Sequence, residues 1–176
     1  QITVASGANA RVAPDAGFTL PACDAVLCQL EVPEAAVASA MAAERDRGLF
    51  AVNLAPALPV DAKLLELADL LIVNEGEAAF YGDAIHAGRG MVAKTLGRDG
   101  AILLRARAPA FTVDVVDTTG AGDTFCGALV VALAEGRAPE AALRFASAAA
   151  ALAVTRAGAQ PSLPWRADVD AFLEAQ

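Results

Sequence analysis

Residues 116–125 read Val-Asp-Thr-Thr-Gly-Ala-Gly-Asp-Thr-Phe and pass from a predicted strand through a glycine loop into a predicted helix. Small residues let backbone N–H groups approach a ligand closely, and the start of a helix adds positive partial charge. The stretch is therefore predicted to bind an anion, with Gly120, Ala121 and Gly122 forming the anion hole. It has neither the Lys-Ser/Thr of a P-loop nor the Gly-x-Gly-x-x-Gly of a dinucleotide fold, so its spacing excludes those two sites.

An aspartate lies at the mouth of this predicted anion hole. Bound phosphates would repel the carboxylate of Asp123 unless it has a proton to accept, so we predict that Asp123 is a general base. It would deprotonate an alcohol for in-line attack while the anion hole stabilises the transferring phosphoryl group. The alternative is an aspartate that only caps a helix, which would explain an isolated Gly-Asp before a helix.

Upstream of this motif, short apolar runs alternate with helical stretches. Strands are predicted at 2–5, 25–30, 49–54, 70–73 and 91–96, and helices at 33–47 and 61–68. Such alternation predicts a parallel sheet. Because the strand runs are almost continuously apolar, we expect helices to cover both faces of that sheet. The sequence therefore predicts a three-layer αβα sandwich with a mostly parallel central sheet.

The remainder of the chain is predicted to be a hairpin and three helices. Residues 101–107 and 111–116 are expected to pair as antiparallel strands, with Pro109 near their turn. The helices are predicted at 122–135, 139–155 and 167–175. Since the sequence contains no repeat, linker or low-complexity tract, residues 1–176 are predicted to form a single domain, which includes the predicted anion hole and general base.

Composition excludes several classes of partner. The 176 residues carry a formal net charge of −8, which argues against binding to nucleic acid or to an anionic membrane. No apolar run reaches the ~18 to 20 residues that span a bilayer. Cys23, Cys28 and Cys126 form neither a Cys-x-x-Cys pair nor a cluster with histidine. Neither a disulfide framework nor a zinc site is predicted, which fits a reducing cytoplasm.

Residues 117–128, Asp-Thr-Thr-Gly-Ala-Gly-Asp-Thr-Phe-Cys-Gly-Ala, resemble the second signature of the PfkB carbohydrate kinase family. Further blocks agree with the family in order and rough spacing, at 6–10, 29–33, 74–77, 95–100 and 154–162, and the last is most similar to the ribokinase branch. The resemblance covers nearly all of this chain but only the later part of a family member. It implies a ribokinase-like, Rossmann-like fold and ATP-dependent phosphorylation of a sugar hydroxyl, with D-ribose and ribose 5-phosphate as the expected substrate and product.

Carried over by position, the resemblance implies that Asp123 is the base and that Gly120, Ala121 and Gly122 form the anion hole. The nucleotide and Mg²⁺ are expected at Asn74, Glu77, Thr95, Gly97, Arg98, Asp99, Gly100, Gly122 and Ser147. Asn74 and Glu77 would organise Mg²⁺ and phosphate through water. Ser147 departs from the family, which commonly has a larger Asn or His near the adenine. Read alone, 74–77 is an ordinary helix start and 95–100 is only a turn.

The resemblance also implies a sugar contact and a monovalent cation. Glu31 ends a predicted strand, at the edge where ligands of open α/β sheets bind, and it matches the family's sugar-contacting glutamate. With Asp123 it would contact the substrate. A K⁺ ion, held largely by backbone oxygens, is expected at Asp117, Thr119, Ala153, Arg156, Gly158 and Ser162.

The family's sugar clamp and β lid precede the segment that matches Gln1, so the chain is expected to be truncated at its N-terminus. Three interpretations stay open. The chain is an active sugar kinase or the larger part of one, a nucleotide-binding fragment without sugar kinase activity, or a packing remnant that binds no ligand. A kinase for another sugar or for a nucleoside is a further alternative. Because the lid often dimerises in the family, a homodimer is expected for the full-length protein.

Overall fold

The computed structural model describes residues 7–12, 20–43 and 48–176. Its elements are β1 (Ala25–Gln29), α1 (Glu34–Ala43), β2 (Leu49–Asn53), α2 (Ala62–Leu67), β3 (Leu70–Val73), α3 (Glu75–Tyr81), β4 (Met91–Thr95), β5 (Ala101–Leu103), β6 (Ala106–Ala108), α4 (Ala121–Ala134), α5 (Pro139–Ala153) and α6 (Arg166–Glu174). The six strands form one sheet whose order follows the chain from β1 to β6. The predicted three-layer α/β fold with a mostly parallel sheet is confirmed.

Most predicted elements agree with the structure to within one or two residues at each end. The predicted strand at 2–5 and the last residues of the helix predicted at 33–47 lie outside the described residues. The helix predicted from 139 to 155 ends at Ala153, and the helix predicted from 122 begins one residue earlier, at Ala121. No helix in the described parts of the chain is both long and apolar enough to cross a membrane.

The chain divides into two compact units, Gln1–Val92 and Ala93–Gln176. In the first unit, β1 pairs with β2 and β2 with β3, both in parallel. All four residues of β3 are buried, as expected for a strand covered on both faces. Because these strands are parallel, their carboxyl ends share one edge of the sheet, where Glu31 follows β1 and Asn74 follows β3.

A tyrosine at the end of α3 holds the loop that follows β2. The Tyr81 hydroxyl donates to the Leu58 carbonyl oxygen at 2.6 Å and accepts from the Leu58 backbone N–H at 3.2 Å. Burial is the largest cause of a raised pKa for this phenol. The hydroxyl therefore remains a neutral donor at physiological pH.

Removal of this hydroxyl is expected to destabilise the fold modestly. Tyr81→Phe should lower the free energy of unfolding by about 1 kcal/mol, the net contribution of an intramolecular hydrogen bond. Urea denaturation measures the change. Ser39→Ala is the control, because the Ser39 hydroxyl on α1 has no hydrogen-bond partner among the described residues. Equal losses in the two variants would contradict the assigned role of Tyr81.

The predicted hairpin of residues 101–107 and 111–116 is wrong, because the second unit pairs other strands. Strand β5 pairs antiparallel with β4 and with β6, so the hairpin turns at Leu104 and Arg105, where Leu104 has a φ of 57°. The segment predicted as a strand at 111–116 has no regular secondary structure and joins no strand among the described residues. Pro109 directly follows β6, and it has no N–H with which to continue a ladder. The N–H of Val116 instead donates to the Val154 carbonyl oxygen, at 2.8 Å.

Helices α4 and α5 form the core of the second unit. On α5 the buried positions Ala142, Ala146, Ala149 and Ala153 recur every three or four residues, so they share one face of the helix. Leu129 and Ala132 are fully buried on α4. Alanine is the best helix former and has the smallest side chain with a Cβ, so the alanine-rich sequence favours helices that pack closely.

Candidate active site

The start of α4 is shaped by a glycine in the left-handed conformation. Gly120 precedes α4 with φ 75° and ψ 2°, a conformation that costs little only for glycine. A Cβ on Gly120 would also lie 3.4 Å from both the Cα and the Cβ of Ala159. Its carbonyl oxygen accepts from the N–H of Thr124 at 2.9 Å and from the Thr124 hydroxyl at 2.8 Å. The chain can therefore turn sharply from the loop into the helix.

Backbone donors are exposed at this helix start. The first N–H groups of a helix have no intrahelical acceptor, and those of Gly122 and Asp123 lie in the first turn of the 14-residue helix α4. A Cβ placed on Gly122 would meet no atom within 4 Å, so the space beside the backbone is open. Positive partial charge and open space together make this a suitable place for an anion.

A cavity of about 580 Å³ lies beside this helix start, within the second unit. Four segments form its walls: the loop after β4, the irregular segment at 110–118, the first turn of α4 and one face of α5. Seven of the predicted site residues line it, namely Thr95, Gly97, Arg98, Gly100, Ala121, Gly122 and Ser147. The structure therefore brings together predicted residues from three distant parts of the second unit.

Three of the predicted catalytic and nucleotide-binding residues of the second unit do not line the cavity, namely Asp99, Gly120 and Asp123, and none of the six predicted cation positions lines it. Asp123 is exposed in the first turn of α4, one residue beyond Gly122. Its carboxylate has no hydrogen-bond partner in the part of the chain that the structure describes. The carboxylate is thus available for an external proton donor, beside the cavity and not inside it.

Sequence reasoning missed the apolar part of the cavity wall. Phe111, Val113 and Val115 line it from the segment at 110–118, and Phe125 lines it from α4. On α5 it is lined by Ser147, Ala150, Ala151 and Val154, which follow the i, i+3, i+4, i+7 spacing of one helix face. This helical spacing was the sequence signal that could have identified the α5 part of the wall, because it places three further residues on the same helix face as the predicted Ser147.

Asp117 ties the loop before α4 to the segment after α5. One carboxylate oxygen accepts from the N–H of Thr119 at 2.9 Å and from its hydroxyl at 2.7 Å, and the other accepts from the N–H of Gly158 at 2.8 Å. The bond from Gly158 is the largest cause that lowers the pKa of this carboxyl, followed by the bonds from Thr119. These donors hold Asp117 in its ionised form.

Asp117→Asn is expected to destabilise the protein, whereas Asp114→Asn should have little effect. An asparagine at 117 would present an NH₂ group to at least one donor N–H and lose the charge that strengthens these bonds. Asp114 is exposed in the segment at 110–118 and has no hydrogen-bond partner among the described residues. Denaturant titrations of both variants at neutral pH measure the difference. Matching midpoints for the two variants would show that the network at Asp117 contributes nothing.

Five of the six predicted cation positions lie on the two segments that Asp117 joins, and the sixth, Ala153, is the last residue of α5. Ala153 and Arg156 are linked by a bond of 3.3 Å from the Arg156 N–H to the Ala153 carbonyl oxygen. Ser162 is buried, and its hydroxyl donates to the Ala159 carbonyl oxygen at 2.7 Å. Backbone carbonyl and carboxylate oxygens suit a hard cation. Among the described residues no group of three or more His, Cys, Asp or Glu side chains could hold a metal.

Asn74 and Glu77 form a capping box at the start of α3, in the first unit. The Asn74 Oδ1 accepts from the Glu77 N–H at 2.8 Å, and Glu77 Oε2 accepts from the Asn74 N–H at 2.8 Å. A third bond, of 2.9 Å, runs from Asn74 Nδ2 to Glu77 Oε1. Glu77 is buried, and this burial raises its pKa although its bonds with Asn74 lower it.

This capping box decides how the pair could serve Mg²⁺. Each carboxylate oxygen of Glu77 accepts one bond and keeps further acceptor capacity. The residues therefore fit contact with the water ligands that Mg²⁺ retains, and direct ligation of the ion would compete with the capping box. Glu31 is exposed after β1, and its N–H donates to Gln29 Oε1.

Comparison with known proteins places these features in a family. The sequence model of the pfkB family carbohydrate kinases matches residues 18–166. A ribokinase of Bacillus subtilis is 37% identical over an alignment of 187 positions, gaps included. The alignment covers 98% of this chain and 64% of that protein. The crystal structure of a Thermotoga maritima ribokinase matches with a TM-score of 0.86 at 35% identity, covering 99% of this chain and 65% of that one.

A structure with bound ligands is also similar. An Arabidopsis thaliana ribokinase, solved in complex with ribose and ATP, matches with a TM-score of 0.74 at 31% identity. The match covers 85% of this chain and 55% of the Arabidopsis chain. The chain thus spans less than two thirds of the length of each of these three relatives.

Proposed function

Because the chain belongs to the pfkB family of carbohydrate kinases, we propose that it acts in the ATP-dependent phosphorylation of a sugar hydroxyl group. The start of α4 carries this proposal, because open backbone donors at Gly122 border a cavity of about 580 Å³ and are followed by the carboxylate of Asp123, which has no hydrogen-bond partner among the described residues. D-ribose is the proposed substrate and ribose 5-phosphate the product. The similarity to ribokinases of Bacillus subtilis and Thermotoga maritima supports this choice.

The proposed reaction places the two substrates on different sides of the start of α4. The nucleotide occupies the cavity, with its phosphates against the anion hole of Gly120, Ala121 and Gly122. The acceptor hydroxyl approaches from outside, where Asp123 takes its proton as the oxygen attacks the γ-phosphorus in line. The bond from phosphorus to the β,γ-bridging oxygen breaks, ADP leaves, and the proton passes from Asp123 to solvent.

The remaining predicted residues are proposed to have supporting roles. Thr95, Gly97, Arg98, Gly100 and Ser147 contact the nucleotide, which their position in the cavity wall supports. Asp99 lies in the same loop and is proposed as a secondary contact. Asn74 and Glu77 are proposed to hold water ligands of Mg²⁺, which would neutralise phosphate charge. Glu31 is proposed to contact the sugar.

A monovalent cation is proposed at the segments that Asp117 joins. The ligands would be oxygens of Asp117, Thr119, Ala153, Arg156, Gly158 and Ser162, with K⁺ as the ion. The hydrogen bonds from Thr119 and Gly158 to Asp117 support the site, because they hold both segments together. The ion would fix the loop before α4 without contacting the substrate. A cytoplasmic location and a homodimer stay predictions.

Sugar-dependent release of ADP tests the proposed function. The protein is incubated with ATP, Mg²⁺, K⁺ and D-ribose, and ADP is measured with and without the sugar. Ribose-dependent release that Asp123→Asn abolishes is the expected result. ADP release at the same rate without ribose would overturn the assignment of the substrate. ADP release that depends on another sugar and not on ribose would overturn it as well.

A further inference from the structure

Ser147 is an unusual part of the cavity wall because, within the described parts of the chain, its side chain is polar, buried and without a hydrogen-bond partner. Ser147 is only 7% exposed to solvent, and its hydroxyl has no hydrogen-bond partner among the described residues. No other polar side chain in the cavity wall is buried to this degree in the described parts of the chain. A buried hydroxyl that makes no bond is unfavourable, so the position indicates that a ligand atom supplies the missing bond.

The wall around Ser147 offers shape and apolar contact but few polar groups. Ala150 and Ala151 lie one turn further along the same face of α5. Phe111 also lines the cavity, and its ring packs edge-to-face on Phe172, with 5.1 Å between centroids. The Arg144 guanidinium lies 5.9 Å from the Phe111 ring centroid. An aromatic and aliphatic wall of this kind can pack against any nucleobase, because every base has an apolar π-face.

On these grounds we propose that the cavity binds purine nucleoside triphosphates without discriminating at position 6 of the base, so that GTP serves as well as ATP. Ser147 is the group that contacts this position. A rotatable hydroxyl accepts a bond from the 6-amino group of adenine and donates one to the 6-oxo group of guanine. Neither base then leaves the hydroxyl unpaired. The inference rests on the proposed function, since it assumes that the cavity holds the nucleotide.

Direct binding measurements with both nucleotides test this inference without any sugar. Isothermal titration calorimetry of the protein with Mg²⁺ and either ATP or GTP is expected to give Kd values within about tenfold of each other. Ser147→Ala should raise both Kd values by the same factor, about two- to tenfold, which is the effect of one neutral hydrogen bond. Ser39→Ala, which removes a hydroxyl from α1, should change neither value.

Several results would overturn the inference. A Kd for GTP about 100-fold or more above that for ATP would show that the site selects adenine. A loss confined to ATP in Ser147→Ala would show that the hydroxyl serves one base only, and no loss with either nucleotide would remove Ser147 from the site. Tight ATP binding with ribose-dependent turnover, but without GTP binding, would reject this inference alone. Absence of binding by either nucleotide would reject the proposed function as well.

Discussion

Asp123→Asn is expected to lower ribose-dependent ADP release by about 10²- to 10⁴-fold, the contribution typical of a general base. The asparagine keeps the shape of the side chain but cannot accept the proton of the attacking hydroxyl. ATP affinity should be unchanged or slightly higher, because Asp123 lies outside the cavity wall and its negative charge no longer repels the phosphates. A loss of turnover without a loss of binding identifies a catalytic role.

Asp114→Asn is the matched control for this variant. It removes another exposed carboxylate of the second unit, from a position that has no hydrogen-bond partner among the described residues. Its turnover should stay within about twofold of the unmodified protein, since surface substitutions away from special contacts have small effects. If both variants lost activity equally, the loss would reflect general charge and not proton transfer at Asp123.

Gly122→Ala is expected to weaken ATP binding by about tenfold or more while the fold stays intact. Apart from its chain neighbours and the backbone of its own helix, the added methyl group would meet no atom of the described residues within 4 Å, and it would occupy the space beside the first N–H groups of α4. Phosphate oxygens could then no longer approach these donors closely. Because alanine favours helix over glycine, the free energy of unfolding should rise or stay unchanged.

Gly127→Ala provides a closely matched comparison on the same helix. A Cβ at Gly127 would also meet no atom within 4 Å, but Gly127 does not line the cavity. We expect a gain in stability of about 0.5–1 kcal/mol and an unchanged Kd for ATP. Calorimetric titration and urea denaturation of both variants separate the two effects. Equal ATP affinities in the two variants would remove Gly122 from the phosphate site.

The start of α4 could be predicted well from the sequence because its causes are local. Gly120 allows the left-handed turn, and small residues around it leave backbone donors open, so the motif at 117–128 determined the helix start to within one residue. The capping box of Asn74 and Glu77 is also local, since the two residues lie in one helical turn. The sequence could therefore predict both the helix start and a polar pair there.

The irregular conformation of residues 111–116 could not be predicted in the same way. Its composition fits a strand, yet its conformation depends on a partner far along the chain, the Val154 carbonyl oxygen that accepts from Val116. The same limit applies to the cavity wall, because Phe111 and Ala150 become neighbours of one cavity only when α5 packs in the second unit. The helix spacing on α5 is a local signal for which of its residues share a face, but which segment lies opposite that face has no local signal in a single sequence.

The most direct test of the proposed kinase mechanism compares the unmodified protein with Asp123→Asn in two paired measurements, ribose-dependent ADP release and calorimetric ATP binding. We predict turnover in the unmodified protein, a loss of about 10²-fold or more in the variant, and ATP affinities that agree within about threefold. Turnover that survives in Asp123→Asn, or that disappears only because ATP no longer binds, would contradict the role of Asp123 as the general base.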